Sequence, residues 1–181
     1  MPYRDGEILP TPKDYGAMAR QAVGDLDVEL IAEPGRFMTA SAGILVTQVT
    51  YVKESEHKRF AVLDAGMNDL IRPALYEAWH DIVTVQEPGP GAARLAYDVV
   101  GPVCESTDMF ARDRELPKLA PGDLVAILTV GAYGAVLASS YNARPLAPEI
   151  LVKGGDFAVV RPRPTIEAMM AEERTPAWLK T

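Results

Sequence analysis

From residue 44 onward the chain consists of short apolar runs cut apart by turn residues, and this spacing constrains the fold more than any other feature. The runs are 44–52, 60–63, 82–85, 95–100, 124–130, 136–140, 150–153 and 157–161, rich in Val, Ile, Leu, Thr and Tyr and mostly bounded by Gly, Pro, Asp or Asn. β-Branched and aromatic side chains suit a half-buried pleated surface, and Gly and Pro punctuate it, so each run predicts a short strand. Many short strands with frequent turns predict a barrel or sandwich rather than a parallel sheet. Lys153-Gly154-Gly155-Asp156 between two such runs predicts a hairpin with a two-residue turn. The chain has 15 prolines in 181 residues, about 8% against a usual ~5%, which agrees with a loop-rich β protein. A short helix over 165–173, with Thr165 as N-cap, is predicted to end it.

The first 40 residues read differently. Residues 1–10 are polar and turn-rich, and Thr11-Pro12 then gives an N-cap followed by proline at the first helical position, with Asp14 in the first turn. A helix over 12–23 is predicted, stopped by Gly24, followed by a strand over 28–32 that runs into Glu33-Pro34-Gly35-Arg36. Helix, strand and polar Gly/Pro loop form the rhythm of an α/β unit, whose functional loops lie at the C-terminal ends of strands. One such unit cannot close a sheet by itself.

Charge and cysteine usage exclude several partners. Lys and Arg number 18 against 25 Asp and Glu, a net charge of −7, the opposite of the basic footprint that nucleic acid or an anionic membrane requires. No apolar run approaches the ~18 residues of a membrane span, and the first residues lack the order of a signal peptide. The single cysteine, Cys104, cannot form an internal disulfide; a reducing compartment, the cytoplasm, is expected. With no second Cys or suitably spaced His beside it, no metal site is expected. Phosphate-cradling Walker loops, dinucleotide glycine fingerprints and the Gly-x-Ser-x-Gly elbow are absent from the sequence.

Four segments carry residues suited to chemistry. In Glu33-Pro34-Gly35-Arg36 a glycine allows close backbone approach and the arginine fork suits a phosphate or carboxylate, although these four residues alone favour a strand-end turn with a surface arginine. After the run ending at Asp64, Asn68, Arg72 and Tyr76 follow, and the last two, four apart, would share one side of a helical turn; a surface turn is the alternative. Gly101-Pro102-Val103-Cys104-Glu105-Ser106-Thr107-Asp108 puts the only thiol next to a carboxylate. An inert buried cysteine is one reading; the other is a neutral S–H, a poor nucleophile but a usable proton donor, favoured by the adjacent negative charge. Gly131-Ala132-Tyr133-Gly134 leaves a tyrosine accessible between small residues or is simply a tight turn, and Ser140-Tyr141-Asn142-Ala143-Arg144-Pro145 follows. His57 lies in a charged, solvated stretch and His80, after Trp79, reads as structural.

Taken in order, these segments resemble the C-terminal half of the diaminopimelate decarboxylases, pyridoxal-phosphate enzymes of the alanine-racemase-like fold. That fold joins an α/β barrel to a β-barrel. The matching pieces are EPGR at 33–36, DAGMNDLIRPALYEAWH at 64–80, GPVCESTD at 101–108, and GAYG with SSYNARP within 131–145. The resemblance covers almost the whole chain. Ornithine and arginine decarboxylases share an EPGR-type loop and a cysteine motif, whereas RPALY and Cys-Glu-Ser look like the diaminopimelate branch.

The resemblance implies a mainly β chain. Residues 1–40 would be the last helix-strand unit of a truncated α/β barrel, and 41–181 a β-barrel domain with a short C-terminal helix. It implies pyridoxal-phosphate-dependent decarboxylation of meso-2,6-diaminopimelate to L-lysine and CO₂, the last step of lysine biosynthesis. Glu33, Pro34, Gly35 and Arg36 would form the cofactor's phosphate loop, and Tyr133 would touch both cofactor and substrate. Arg36, Arg72 and Tyr76 would bind the substrate, Glu105 its distal ammonium group, and Cys104 would be the catalytic proton donor. In this family the cysteine and its acidic neighbour serve the adjacent subunit's site, so a homodimer is implied.

Two departures accompany the match. The family's Schiff-base lysine, its cofactor-stacking histidine and its glycine-rich phosphate loop have no counterpart. Lys13, Lys53, Lys58, Lys118, Lys153 and Lys180 fall elsewhere in the family's order, and Met1-Pro2-Tyr3-Arg4 resembles the middle of a family member. Thr107 and Ala138 stand where glycine and methionine are common. The 181 residues alone are therefore expected to show little or no decarboxylase activity. The alternatives are a non-catalytic β-barrel binding or dimerisation module, and a decarboxylase of ornithine or arginine.

Overall fold

Strand β1 (Leu45–Glu54) is the spine of the structure, a computed structural model that describes residues 2–4 and 6–179. Met1 and Lys180 lie outside the described residues. β1 pairs antiparallel with β2 (Arg59–Leu63) on one side and β6 (Leu124–Ile127) on the other. β6 continues antiparallel to β3 (Ile82–Thr84); β2 runs parallel to β4 (Arg94–Val100), which pairs antiparallel with β5 (Met109–Pro117). The order is β3-β6-β1-β2-β4-β5, and the two edge strands, β3 and β5, come into contact, so the sheet curls into a nearly closed barrel. The curl sets the two edge strands against each other without a hydrogen-bonded ladder between them. Val49, Leu63, Tyr97, Leu116, Val125 and Ile127 fill the interior, each contributing roughly 1.5–3 kcal/mol through burial. The Tyr97 hydroxyl accepts the Leu119 N–H at 3.1 Å, so the largest core side chain leaves no unpaired polar group.

Strand β5 is absent from the expected set because of its Arg112-Asp113-Arg114-Glu115 stretch. A bulge explains the break in alternation: the register slips opposite Tyr97–Val99, Asp113 takes φ +45°, and its N–H donates to Asp98 Oδ1 at 2.9 Å. Asp98 also takes the Lys58 ammonium at 2.6 Å. Burial pushes its carboxyl up, and these two partners more than offset that, leaving it below the usual aspartate range. Arg114 points inward but is accommodated. Its guanidinium lies 3.6 Å from the Trp79 ring, 3.6 Å from Asp81, and donates to the His80 carbonyl at 2.9 Å.

The helix α1 (Pro12–Val23) forms as expected: Thr11 and Asp14 make a reciprocal capping box and Gly24 ends it at φ +59°. The strand expected over 28–32 does not form. Residues 26–34 take no ladder partner among the described residues and are exposed, Ile31 to 85%. A local apolar pattern cannot make a strand without a neighbour to receive its N–H and C=O groups. The strand expected over 124–130 ends at Ile127, because Thr129 adopts φ +61°. That expected over 136–140 is instead a 3₁₀ turn, Ala135–Leu137, following the left-handed Tyr133. β7 (Glu149–Lys153) and β8 (Asp156–Arg161) form the expected hairpin, with Gly154 at φ +60°, but as a separate two-stranded sheet. The last helix, Ile166–Met170, is capped by the Thr165 hydroxyl, which accepts the Ala168 N–H at 3.1 Å.

Candidate active site

The loop leaving β2 is fixed by its own carboxylates. Asp64 Oδ1 accepts from the Thr47 hydroxyl at 2.5 Å and the Gln48 N–H at 2.8 Å, and Asp69 Oδ2 accepts the Gly66 N–H at 2.9 Å. This loop delivers the single-turn helix α3 (Arg72–Tyr76), started by Pro73 and closed by Glu77 in the left-handed region. Arg72 and Tyr76 therefore sit one turn apart, yet in different surroundings: Arg72 is 7% exposed and Tyr76 62%. The Arg72 guanidinium reaches His80 Nε2 at 3.1 Å and lies 5.0 Å from the Tyr3 ring.

Asp108 anchors the loop between β4 and β5. It is buried; Oδ1 accepts the Met67 N–H and Oδ2 the Val103 N–H, both at 2.7 Å. Burial raises its carboxyl above the usual aspartate range despite those two bonds. A side chain at Gly101 would come within 2.3 Å of the Asp108 carboxylate, so only glycine fits there. The pinned loop presents Cys104, Glu105 and Ser106 to solvent. A cleft of about 480 Å³ is lined by Pro73, Glu77 and Trp79 together with Ser106 and Thr107, but Arg72, Tyr76, Cys104 and Glu105 do not line it.

A third loop locks onto the first. Ser139 N–H donates to the Asn68 carbonyl at 2.9 Å, and Arg144 donates from Nε to Asn68 Oδ1 at 2.9 Å and from a terminal nitrogen to the Asp64 carbonyl at 2.5 Å. It also lies 3.6 Å from the buried Asp69. Asn142 and Ala143 both take positive φ to make this approach. Arg144 is thus the structural clasp of the site, a role that its place in the SSYNARP segment did not disclose.

The two remaining motifs meet at their backbones. Glu33, Pro34, Gly35 and Arg36 are exposed, with Gly35 at φ +50° opening the turn α2 (Arg36–Thr39). Gly131 N–H donates to the Ala40 carbonyl at 3.0 Å and Val130 N–H to that of Gly43 at 2.9 Å; a Cβ on Gly131 would sit 2.0 Å from the Thr39 oxygen. Tyr133 follows at φ +66° with its side chain half exposed. A left-handed tyrosine is strained by ~1–2 kcal/mol, and such strain concentrates at functional positions. The segment ahead of it is tied to the tail of α3: Leu128 N–H donates to the Asp81 carbonyl at 2.8 Å while the Leu128 carbonyl meets His80 Nδ1 at 2.9 Å.

The structure therefore joins the Asp64–Arg72, cysteine and Arg144 loops in one polar network, and the Arg36 and Tyr133 loops in a second. Leu128 links them. Arg36, Tyr76, Cys104, Glu105 and Tyr133 are accessible, whereas Arg72 is held inside on His80. Gly35 and the accessible Arg36 fork suit a phosphate ester, and the Tyr133 ring is open to a planar partner. Of the described lysines, Lys13 lies in α1, Lys53 in β1, Lys153 in β7, Lys118 just after β5, and Lys58 is bound to Asp98; none lies on these loops. Among the described residues no group of three or more His, Cys, Asp or Glu could hold a metal ion, and no helix is long and apolar enough to cross a membrane.

Residues 19–131 match the family model for the pyridoxal-dependent decarboxylase C-terminal sheet domain. The chain is 45% identical over 178 residues to a diaminopimelate decarboxylase of Zymomonas mobilis, covering 98% of this chain and 42% of that protein. It superposes on the diaminopimelate decarboxylase of Helicobacter pylori complexed with L-lysine with a TM-score of 0.83 and 42% identity, covering 93% of this chain and 41% of that one. Against the M. jannaschii diaminopimelate decarboxylase in co-complex with L-lysine the TM-score is 0.86 at 36% identity, over 99% and 42% of the respective chains. The chain spans about two-fifths of the length of the curated relatives it matches.

Proposed function

The chain belongs to the pyridoxal-dependent decarboxylases, carrying their C-terminal sheet domain, and from this we propose that it supplies the substrate-binding part of a diaminopimelate decarboxylase. The observation that carries the reading is the ordered convergence of the motif loops, tied together through Asp108, Asn68, Arg144 and Leu128, with Tyr76, Cys104, Glu105 and Tyr133 left exposed on them. Pyridoxal phosphate, when bound, supplies the electron sink for the pair left as CO₂ departs. The chain's residues bind and orient the reactants and supply a proton. Gly35 and Arg36 would hold the phosphate, with Glu33 and Pro34 shaping their loop, and Tyr133 would contact cofactor and substrate. Arg36, Arg72 and Tyr76 bind the amino acid, and the Glu105 carboxylate takes the distal ammonium. Cys104 delivers a proton from Sγ to the carbon that loses CO₂, yielding L-lysine. A substrate with an amino-acid group at each end requires a cationic fork and an anion together, which Arg72 and Glu105 provide.

The solvent-facing Cys104 and Glu105, on a loop otherwise pinned from below, support a homodimer in which they complete the neighbouring subunit's site. An accessible thiol suits a reducing compartment, and we assign the protein to the cytoplasm. The exposed Ile31, Leu151 and Phe157 argue against a self-sufficient binding module, which would cover such surface. RPALY on α3 and Cys-Glu-Ser favour diaminopimelate over ornithine or arginine. Borohydride reduction of the 181-residue chain with pyridoxal phosphate, followed by peptide mass mapping, tests the division of labour. Scattered, substoichiometric labelling and no release of CO₂ from meso-diaminopimelate are expected. Stoichiometric labelling of one lysine, protected by diaminopimelate, would show that the chain builds a complete site.

A further inference from the structure

His80 is 1% exposed and touches two groups of opposite hydrogen-bonding character. Its Nε2 lies 3.1 Å from an Arg72 terminal nitrogen and its Nδ1 lies 2.9 Å from the Leu128 carbonyl oxygen. A guanidinium only donates, so Nε2 must bear a lone pair; a carbonyl only accepts, so Nδ1 must bear the hydrogen. The two contacts together admit one form of the ring, neutral with its hydrogen on Nδ1, and exclude the imidazolium. The surroundings agree. Burial lowers the affinity of His80 for a second proton, and the cations of Arg72 and Arg114 lower it further, against the Leu128 bond and Asp81, which raise it. The Tyr3 ring packs edge-on at 5.3 Å.

We propose that His80 is a positioning residue: its Nε2 lone pair fixes the direction of the Arg72 guanidinium and so sets the geometry with which Arg72 meets the substrate. This rests on the reading of Arg72 as a substrate anchor. The reference point is rigid, because Leu128 is clamped twice, through its carbonyl to His80 and through its N–H to the Asp81 carbonyl at 2.8 Å. Arg72 is long and rotamer-rich, and a single acceptor on a locked ring is what restricts it to one pose. The same clamp lies just ahead of Tyr133, so the two substrate-side residues take their positions from one backbone segment.

The chain has two histidines, so a ¹⁵N-histidine sample and a His57→Gln variant assign His80 directly. Long-range ¹H–¹⁵N spectra of the full chain at neutral pH are expected to show Nδ1 protonated and Nε2 bare. Arg72→Leu is expected to shift the Nε2 resonance and leave Nδ1–H in place. A hydrogen on Nε2, an imidazolium, or an Nε2 signal indifferent to Arg72→Leu would overturn the proposal without any variant at His80. In the pyridoxal-phosphate-loaded enzyme that contains this chain, His80→Phe should raise KM for diaminopimelate by roughly 10- to 100-fold with a smaller change in kcat. His80→Gln, which keeps an acceptor near the Nε2 position, should recover part of that loss. If Arg72→Leu raises KM and His80→Phe does not, the positioning role fails alone. If Arg72→Leu leaves KM unchanged, the substrate role of Arg72 fails and takes the positioning role with it.

Discussion

The motif loops at the rim of the barrel and the apolar segments outside it carry equally strong sequence patterns, but the structure treats them in opposite ways. At the rim, charged and polar side chains are taken inside and paired: Asp108 with two backbone amides, Arg144 with Asn68 and Asp64, Arg72 with His80. Outside it, Ile31, Leu151, Val152 and Phe157 stand in solvent although they are among the most apolar residues of the chain. Apolar burial needs only a surface to lie against, and these segments find none within the described residues. Polar burial needs a specific partner for each atom, and the rim supplies those partners from its own three loops. The rim is thus internally complete, and the flanking segments are faces that await cover.

Arg144→Ala should break the rim most severely, because it removes the donor to Asn68 Oδ1 and the Asp64 carbonyl and the cation beside the buried Asp69; a loss of about 3 kcal/mol in urea unfolding is expected. Gly131→Ala should cost roughly 1–3 kcal/mol by driving a methyl group into the Thr39 carbonyl, read as a lowered Tm. Ile31→Ser and Phe157→Ser, on the uncovered faces, should change stability by no more than about 0.5 kcal/mol while raising the concentration at which the chain precipitates. A loss above ~1.5 kcal/mol at either position would mean that those faces are already packed. The finest test uses acid. His80 binds a proton less readily folded than unfolded, so the unfolded chain takes up more protons below the ordinary histidine value near ~6.5, and stability should fall as pH drops through that window. His80→Phe should flatten the slope of the urea midpoint between pH 7 and 5.

What could be read beforehand follows the same division. Strands built on continuous apolar runs, such as β2 and β6, announce themselves, because the apolar run is both the signal and the cause of burial. β5 does not, since Arg114 is an inward residue whose partners, Trp79 and Asp81, lie far back in the chain. Residues 28–32 look like a strand locally and fail for want of a neighbour. The candidate site residues were chosen by motif, yet neither the clasp made by Arg144 nor the hold of His80 on Arg72 is visible in a motif, because each is a contact between segments. The left-handed Thr129 and Tyr133, which shorten β6 and re-aim the chain, are dictated by packing against residues 39–43 rather than by their own preferences.

The central place of β1 has a consequence in time. β1 and β2 can zip together as a local hairpin soon after both exist, but the other edge of β1 waits for β6, which follows only after β3, β4 and β5. Such distant pairings make a fold slow, because the chain must close a long loop before any contact rewards it. Leu128 lies one residue beyond β6, so the clamp on His80 depends on β6 being docked. The orientation of Arg72 thus depends on a pairing distant in sequence: a collapsed chain without β6 on β1 carries every candidate site residue but not their arrangement.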